Sequence, residues 1–144
     1  MKRHALFVFV LAFAFGLAMA APTAIAKDLT KHDMVDAAKA TICQVSVADA
    51  KALFDKGGYI FLDVRTRKEF KMGHIPGAIH LARGLLEFKI AKKVPDKNAN
   101  IVIYCRSGGR ASLSTCTLCK MGYKNVKNMD GGWRAWVKAG YPID

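Results

Sequence analysis

The residues with the clearest capacity for chemistry are a cysteine and the short glycine-rich segment that follows it. The apolar residues 101–104 predict a buried strand, and the segment Cys105-Arg106-Ser107-Gly108-Gly109-Arg110 comes directly after it. Two glycines let the backbone curl so that successive N–H groups point inward, and a helix predicted over residues 111–121 adds the positive end of its dipole. Together with the two arginine charges, these groups favour a thiolate at Cys105. We therefore expect Cys105 to act as a sulfur nucleophile and residues 106–110 to bind an anion beside it.

The first 26 residues predict a secretory signal peptide. A basic start at residues 2–4 precedes the apolar run 5–21, and Ala20 and Ala26 each end a small-x-small cleavage motif. A membrane anchor is the alternative because the run is near the lower length limit for crossing a bilayer, but the small residues at its end favour cleavage. We expect cleavage after Ala20 or Ala26, a periplasmic or secreted protein without stable membrane insertion, and an oxidising environment for its cysteines.

The remaining residues, 27–144, have a length that suits one domain with its own core. Short apolar runs alternate with helical patterns, which predicts an α/β fold with a mostly parallel sheet and helices on both faces. Strands are predicted near residues 44–45 and over residues 59–64, 78–81, 101–104 and 125–129; helices are predicted over residues 31–41, 47–56, 66–72, 85–94, 111–121 and 132–139. Sites in such sheets lie at the carboxyl ends of strands, where Cys105 is placed.

Five motifs occur in an order that resembles a single-domain rhodanese, a thiosulfate sulfurtransferase. They are Asp63-Val64-Arg65, Glu69-Phe70, Gly73-His74-Ile75-Pro76-Gly77-Ala78-Ile79-His80, the Cys105 loop, and Asp130-Gly131-Gly132-Trp133. The resemblance implies a five-stranded parallel sheet and a Cys105 persulfide that carries sulfur from thiosulfate to cyanide or a thiol. It also implies that residues 106–110 hold the anion and that neither a metal nor an organic cofactor is needed. The first and third motifs are carried over as framework only.

Three other functions remain open at this stage. Phosphatases and arsenate reductases of the same fold hold five residues between cysteine and arginine, to enclose a phosphate. Four residues separate Cys105 from Arg110, and this loop should be too tight for a tetrahedral oxyanion in line with the sulfur. A thiol-disulfide oxidoreductase could use Cys116 and Cys119, although a reactive pair of this spacing normally lies at a helix N-terminus. A non-catalytic sulfur carrier would need the same persulfide.

The rhodanese strand order, in which the first strand lies beside the last, would place Cys43 at the amino-terminal edge of the sheet. The helix after the Cys105 loop runs back toward that edge, so a Cys43–Cys119 disulfide is one expectation. A Cys116–Cys119 bridge and three reduced thiols are the alternatives.

The remaining aromatic, histidine and basic residues predict structure rather than chemistry. Trp133 and Trp136 are expected in the core, and His74 is expected to form a structural hydrogen bond in a turn. No histidine is placed to form a metal site with Cys105. The formal net charge of +12 is spread along the chain without interleaved aromatic residues, so nucleic-acid binding is not indicated.

Overall fold

The computed structural model describes residues 28–144, so the predicted signal peptide lies outside the described residues. The strands are β1 (Cys43–Val45), β2 (Ile60–Asp63), β3 (Ile79–His80), β4 (Asn100–Tyr104) and β5 (Asn125–Met129). The helices are α1 (Lys31–Lys39), α2 (Val47–Lys56), α3 (Arg67–Lys71), α4 (Leu86–Lys93), α5 (Gly109–Lys120) and α6 (Gly132–Lys138), with a 3₁₀ turn over Arg83–Leu85 before α4.

Short-range capping signals explain where the first three helices begin. Thr30, Ser46 and Thr66 have extended backbones, and the side-chain oxygen of each accepts a hydrogen bond from the N–H three residues later. Asp33 and Glu69 complete capping boxes by accepting the N–H of Thr30 and Thr66. The predicted starts of these helices follow from such local interactions.

The five strands form one sheet in the order β1-β5-β4-β2-β3, and every neighbouring pair is parallel. The expected α/β fold is confirmed, and the sheet is entirely rather than mostly parallel. The placement of the first strand beside the last is also confirmed. Because all strands run in one direction, the residues that follow β2, β4 and β5 meet at one edge of the sheet.

Helices cover both faces of the sheet, as expected. On one face, α4 and α5 pack over side chains of β2 and β4, and α1 packs against α5. On the other face, Trp136 of α6 and Ala50 of α2 contact Phe61 and Met129. Within residues 28–144, no helix has the length and apolar composition required to cross a bilayer.

Candidate active site

Cys105 lies directly after β4, at the carboxyl edge of the sheet, and only 1% of its surface is exposed. The N–H of Gly108 donates to Cys105 Sγ over 3.2 Å. Gly108 has a φ of +101°, which a residue with a Cβ rarely adopts, and its conformation turns the chain from the loop into α5. The sulfur therefore sits inside a loop whose curvature depends on glycine.

The carbonyl groups of Cys105 and Arg106 are directed toward the start of α6. The N–H of Trp133 donates to the Cys105 carbonyl over 2.7 Å, and the N–H of Arg134 donates to the Arg106 carbonyl over 3.1 Å. In a trans peptide the N–H points opposite to the carbonyl. The N–H groups of Arg106 and Ser107 consequently face away from α6 and toward the interior of the loop, where an anion beside Cys105 would meet them.

Gly132, the first residue of α6, allows this helix to approach the loop. Gly132 has a φ of +59°, and a Cβ added there would lie 2.5 Å from the Cys105 carbonyl oxygen and 3.0 Å from the Ser107 nitrogen. Those distances leave no room for a side chain. The Asp130-Gly131-Gly132-Trp133 motif is therefore part of the loop's support, a role that the sequence alone does not reveal.

Arg110 closes the loop through an ion pair that the sequence analysis did not anticipate. Its guanidinium donates to both carboxylate oxygens of Glu69, over 2.9 and 2.8 Å. These hydrogen bonds are the largest cause lowering the Glu69 pKa to about 2, and they also raise the pKa of Arg110. Because one Glu69 oxygen also caps α3 at Thr66, the carboxylate joins α3 to the Cys105 loop. Arg110 is thus already paired, whereas Arg106 is exposed.

A cavity of about 450 Å³ opens on the α3 side of the loop. It is lined by Arg65, Glu69, Met72, Arg106 and Trp133. Trp136 is fully buried, as expected, but Trp133 is only half-buried and forms a wall of this cavity. The two tryptophans are three residues apart and lie on one side of α6, but Trp133 is in the first turn of the helix, next to the Cys105 loop.

A buried ion pair supports this wall. Asp63, which ends β2, accepts hydrogen bonds from the Arg65 guanidinium over 2.6 to 3.0 Å, and both side chains are almost fully buried. The guanidinium also donates to the Gly73 carbonyl and lies 4.5 Å from the centre of the Trp133 ring. Burial is the main cause raising the pKa of neighbouring Tyr104, so its hydroxyl stays protonated. This part of the motif set acts as framework, as the resemblance implied.

The other candidate residues lie away from the loop. Cys43, Cys116 and Cys119 are free thiols, and Cys43 Sγ is 3.5 Å from Lys127 Nζ. Burial is the main cause raising the Cys119 pKa, and the Cys116 and Cys43 charges add to it. The Cys43–Cys119 bond stays a prediction.

The histidines and the potential metal ligands have structural surroundings. His74 Nδ1 lies 3.1 Å from the Phe70 carbonyl oxygen, and the two rings stack at 3.8 Å, as expected of a structural residue. Over residues 28–144, no group of three His, Cys, Asp or Glu side chains is arranged to hold a metal ion.

Comparison with known proteins identifies the family. A Rhodanese-like domain model matches residues 46–139. The Allochromatium vinosum protein named sulfurtransferase is 36% identical over 94 residues, covering 65% of this chain and 86% of that protein. Thiosulfate sulfurtransferase 18 of Arabidopsis thaliana is 32% identical over 115 residues, covering 72% of this chain and 84% of that protein. A solved structure from Rhodopseudomonas palustris, of unknown function and described as a possible tyrosine phosphatase, is 33% identical with a TM-score of 0.74, covering 86% of this chain and 99% of that chain. The chain therefore belongs to the rhodanese-like domain family.

Proposed function

We propose that this protein is an exported sulfurtransferase that moves sulfane sulfur from thiosulfate, or a similar anionic donor, to a thiophilic acceptor. The observation that carries the proposal is the loop around Cys105, where a buried sulfur receives the Gly108 N–H and further N–H groups face the interior. Such a loop stabilises negative charge next to a nucleophile without using a metal or a cofactor. Sulfurtransferases among the relatives support the same reaction class.

The reaction follows from this arrangement in two displacement steps. The Cys105 thiolate attacks the outer sulfur of thiosulfate, the S–S bond breaks, and its electron pair leaves with sulfite while Cys105 keeps one added sulfur. The loop N–H groups and Arg106 stabilise the charge on the departing sulfite. Cyanide or a thiolate then attacks the outer sulfur of the persulfide, and the electron pair of that bond returns to Cys105 as thiolate. No net oxidation takes place, and the enzyme ends in its starting form.

Thiosulfate treatment is expected to add one sulfur to the protein. Mass spectrometry of the mature chain should show a gain of about 32 Da, the mass of one sulfur atom, located on the peptide that contains Cys105. Cyanide should remove the added mass and release thiocyanate. A protein that stays at its original mass in thiosulfate and in other sulfane donors would contradict the proposal.

A phosphatase is the second candidate, because the Rhodopseudomonas palustris neighbour is described as a possible tyrosine phosphatase. Two observations disfavour it here: four residues separate Cys105 from Arg110, and Glu69 already takes the Arg110 guanidinium that a phosphate would need. Hydrolysis of an aryl phosphate at a rate comparable with sulfur transfer would favour the phosphatase. A non-catalytic carrier would hold the same persulfide but would form thiocyanate from thiosulfate and cyanide without sustained turnover.

The ion pair between Glu69 and Arg110 gives a prediction for substrate binding. Arg110→Ala should raise the thiosulfate KM about tenfold, since the positive charge beside the anion and the ion pair that fixes the loop are both lost. Glu69→Gln is the matched control, because glutamine can still cap α3 while Arg110 keeps its charge. We expect this control to leave the KM unchanged or lower. An unchanged KM in Arg110→Ala would remove Arg110 from anion binding.

Because of the same ion pair, we expect the stability of the folded protein to fall at acidic pH. The Glu69 pKa is about 2 in the folded protein against an ordinary value of 4.5. The pair's contribution is therefore fully present above about pH 4.5 and is lost as the pH falls toward 2. Unfolding midpoints measured from pH 5 to pH 2 should decline more steeply for the parent than for Glu69→Gln. Parallel profiles for the two proteins would contradict this account.

Export and the disulfide are proposals that rest on the sequence. An N-terminus at Ala21 or Lys27 on the mature protein is the expected result of signal-peptide cleavage. If Cys43 and Cys119 are bonded, the closed loop of some 75 residues adds about 4 kcal/mol in the chain-entropy description. Peptide mapping of the exported protein without reduction should recover them as one linked pair. Free alkylation of Cys43 would rule the bond out.

A further inference from the structure

A second cavity borders the Cys105 loop on the side of α1. It lies between α1 and the start of α5, and its volume is about 400 Å³. Val35 of α1 packs against the loop, since its Cγ2 atom lies 3.6 Å from where a Cβ on Gly109 would be. The family match begins at residue 46, so α1, which forms one wall of this groove, lies outside the matched domain.

The groove has the composition of a site for an organic anion. Its apolar surface comes from Met34, Val35 and Leu113, and its rim carries Lys31 and His32. Arg110 also lines it, but its guanidinium is paired with Glu69. No carboxylate is among the residues that line it, whereas Glu69 lines the cavity across the loop. Lys31 is exposed and takes part in none of the ion pairs formed within residues 28–144. Its charge is therefore available to a ligand.

The groove also borders the loop that holds the reacting sulfur. Ser107 and Gly109 line it, and they flank Gly108, whose N–H contacts Cys105 Sγ. The groove therefore lies one residue on either side of the group that holds the reacting sulfur. The cavity on the α3 side is less suited to a carbon chain, because three of its five lining residues are charged.

We propose that the groove between α1 and α5 binds the sulfur acceptor, and that this acceptor is a small organic thiol carrying a carboxylate. The inference rests on the proposed sulfurtransferase function. The carbon chain lies on Met34, Val35 and Leu113 while the carboxylate faces Lys31. The acceptor thiolate attacks the outer persulfide sulfur, a new S–S bond forms, and the old bond returns its electron pair to Cys105. The product is an organic persulfide.

Charge-matched acceptors test the role of Lys31. The sulfur-loaded protein is assayed with 3-mercaptopropionate, 2-mercaptoethanol and cysteamine, which are anionic, neutral and cationic thiols of similar size. Lys31→Glu should lower kcat/KM for 3-mercaptopropionate about tenfold, with little loss for cysteamine. Lys92→Glu on α4 is the matched control, because Lys92 is exposed and lines neither cavity. It should change each value less than about twofold, since screening weakens distant charges.

Chain length and direct binding test the apolar surface. Replacing 3-mercaptopropionate by 6-mercaptohexanoate should lower the acceptor KM severalfold in the parent, and Met34→Ser should remove most of that gain. The unreactive analogue 3-(methylthio)propionate should shift the NMR signals of the Val35 and Leu113 amides, whether or not sulfur transfer occurs.

Two different failures can be told apart. A protein that never accepts sulfur refutes the proposed function, while the NMR titration still reports on the groove. Equal effects of Lys31→Glu and Lys92→Glu in a protein that does transfer sulfur to cyanide would overturn the acceptor site. Analogue-induced shifts confined to residues outside the groove would overturn it as well.

Discussion

Cys105→Ser should reduce sulfur transfer from thiosulfate to cyanide by at least about a thousandfold, because a covalent intermediate is lost. A serine hydroxyl stays protonated near neutral pH and attacks a sulfane sulfur poorly. It also occupies the same place and can accept the Gly108 N–H that Cys105 Sγ now accepts over 3.2 Å. The substitution therefore removes the nucleophile while leaving the loop in place. Thiocyanate formation is the measurement.

Two other thiols provide the controls for this result. Cys116→Ser and Cys119→Ser change cysteines on α5 that do not line the Cys105 loop, and both should retain at least half of the parent rate. Calorimetry should show that Cys105→Ser still binds thiosulfate, since the inward N–H groups remain. Full turnover by Cys105→Ser, or loss of activity in a control, would assign the chemistry to a different thiol.

The fold could be predicted from the sequence because its signals are local. Ser46 and Thr66 mark helix starts through hydrogen bonds to residues three positions later. The apolar run that forms β4 can be identified as a strand without knowing which strands lie beside it. The strand order was predicted from the family resemblance rather than from local patterns. Boundaries shifted slightly where tertiary contacts extend an element: α5 begins at Gly109, two residues earlier than predicted, and β1 includes Cys43.

The support of the loop could not be predicted, because it depends on residues far apart in the chain. Glu69 and Arg110 are 41 residues apart, and nothing local indicates that the carboxylate which caps α3 also holds the guanidinium. The family resemblance included Glu69 among its motifs but assigned it neither a role nor a partner. Trp133 illustrates the same difficulty. Its spacing from Trp136 predicts burial in the core, yet its side chain lines a cavity.

These distant contacts explain how the glycine-containing Cys105 loop can hold its N–H groups in fixed directions. A loop with adjacent glycines has little conformational preference of its own. Three neighbours restrict it here: α6 binds two of its carbonyls, Glu69 binds Arg110, and the buried β4 strand fixes Cys105. The groups that stabilise an anion are therefore oriented before the substrate arrives, which is the condition for electrostatic catalysis.

Gly132→Ala should damage this orientation more than any other change outside the loop. The new methyl group would lie 2.5 Å from the Cys105 carbonyl oxygen, and the φ of +59° adds backbone strain. The start of α6 must then move away and weaken the Trp133 N–H hydrogen bond to Cys105. We expect about 3 kcal/mol lower stability from strain and overpacking, and about a hundredfold lower kcat/KM, because a displacement of about 1 Å disrupts the reacting geometry.

Gly140→Ala separates the two causes of this effect. Gly140 has a similar φ of +70°, but a Cβ there would meet no atom within 4 Å. It should therefore cost only the backbone strain, about 1 kcal/mol, and leave sulfur transfer unchanged. Denaturant unfolding and thiocyanate formation should be measured on both variants. If Gly132→Ala were as active as Gly140→Ala, α6 would not be orienting the Cys105 loop, and the inward N–H groups would need another support.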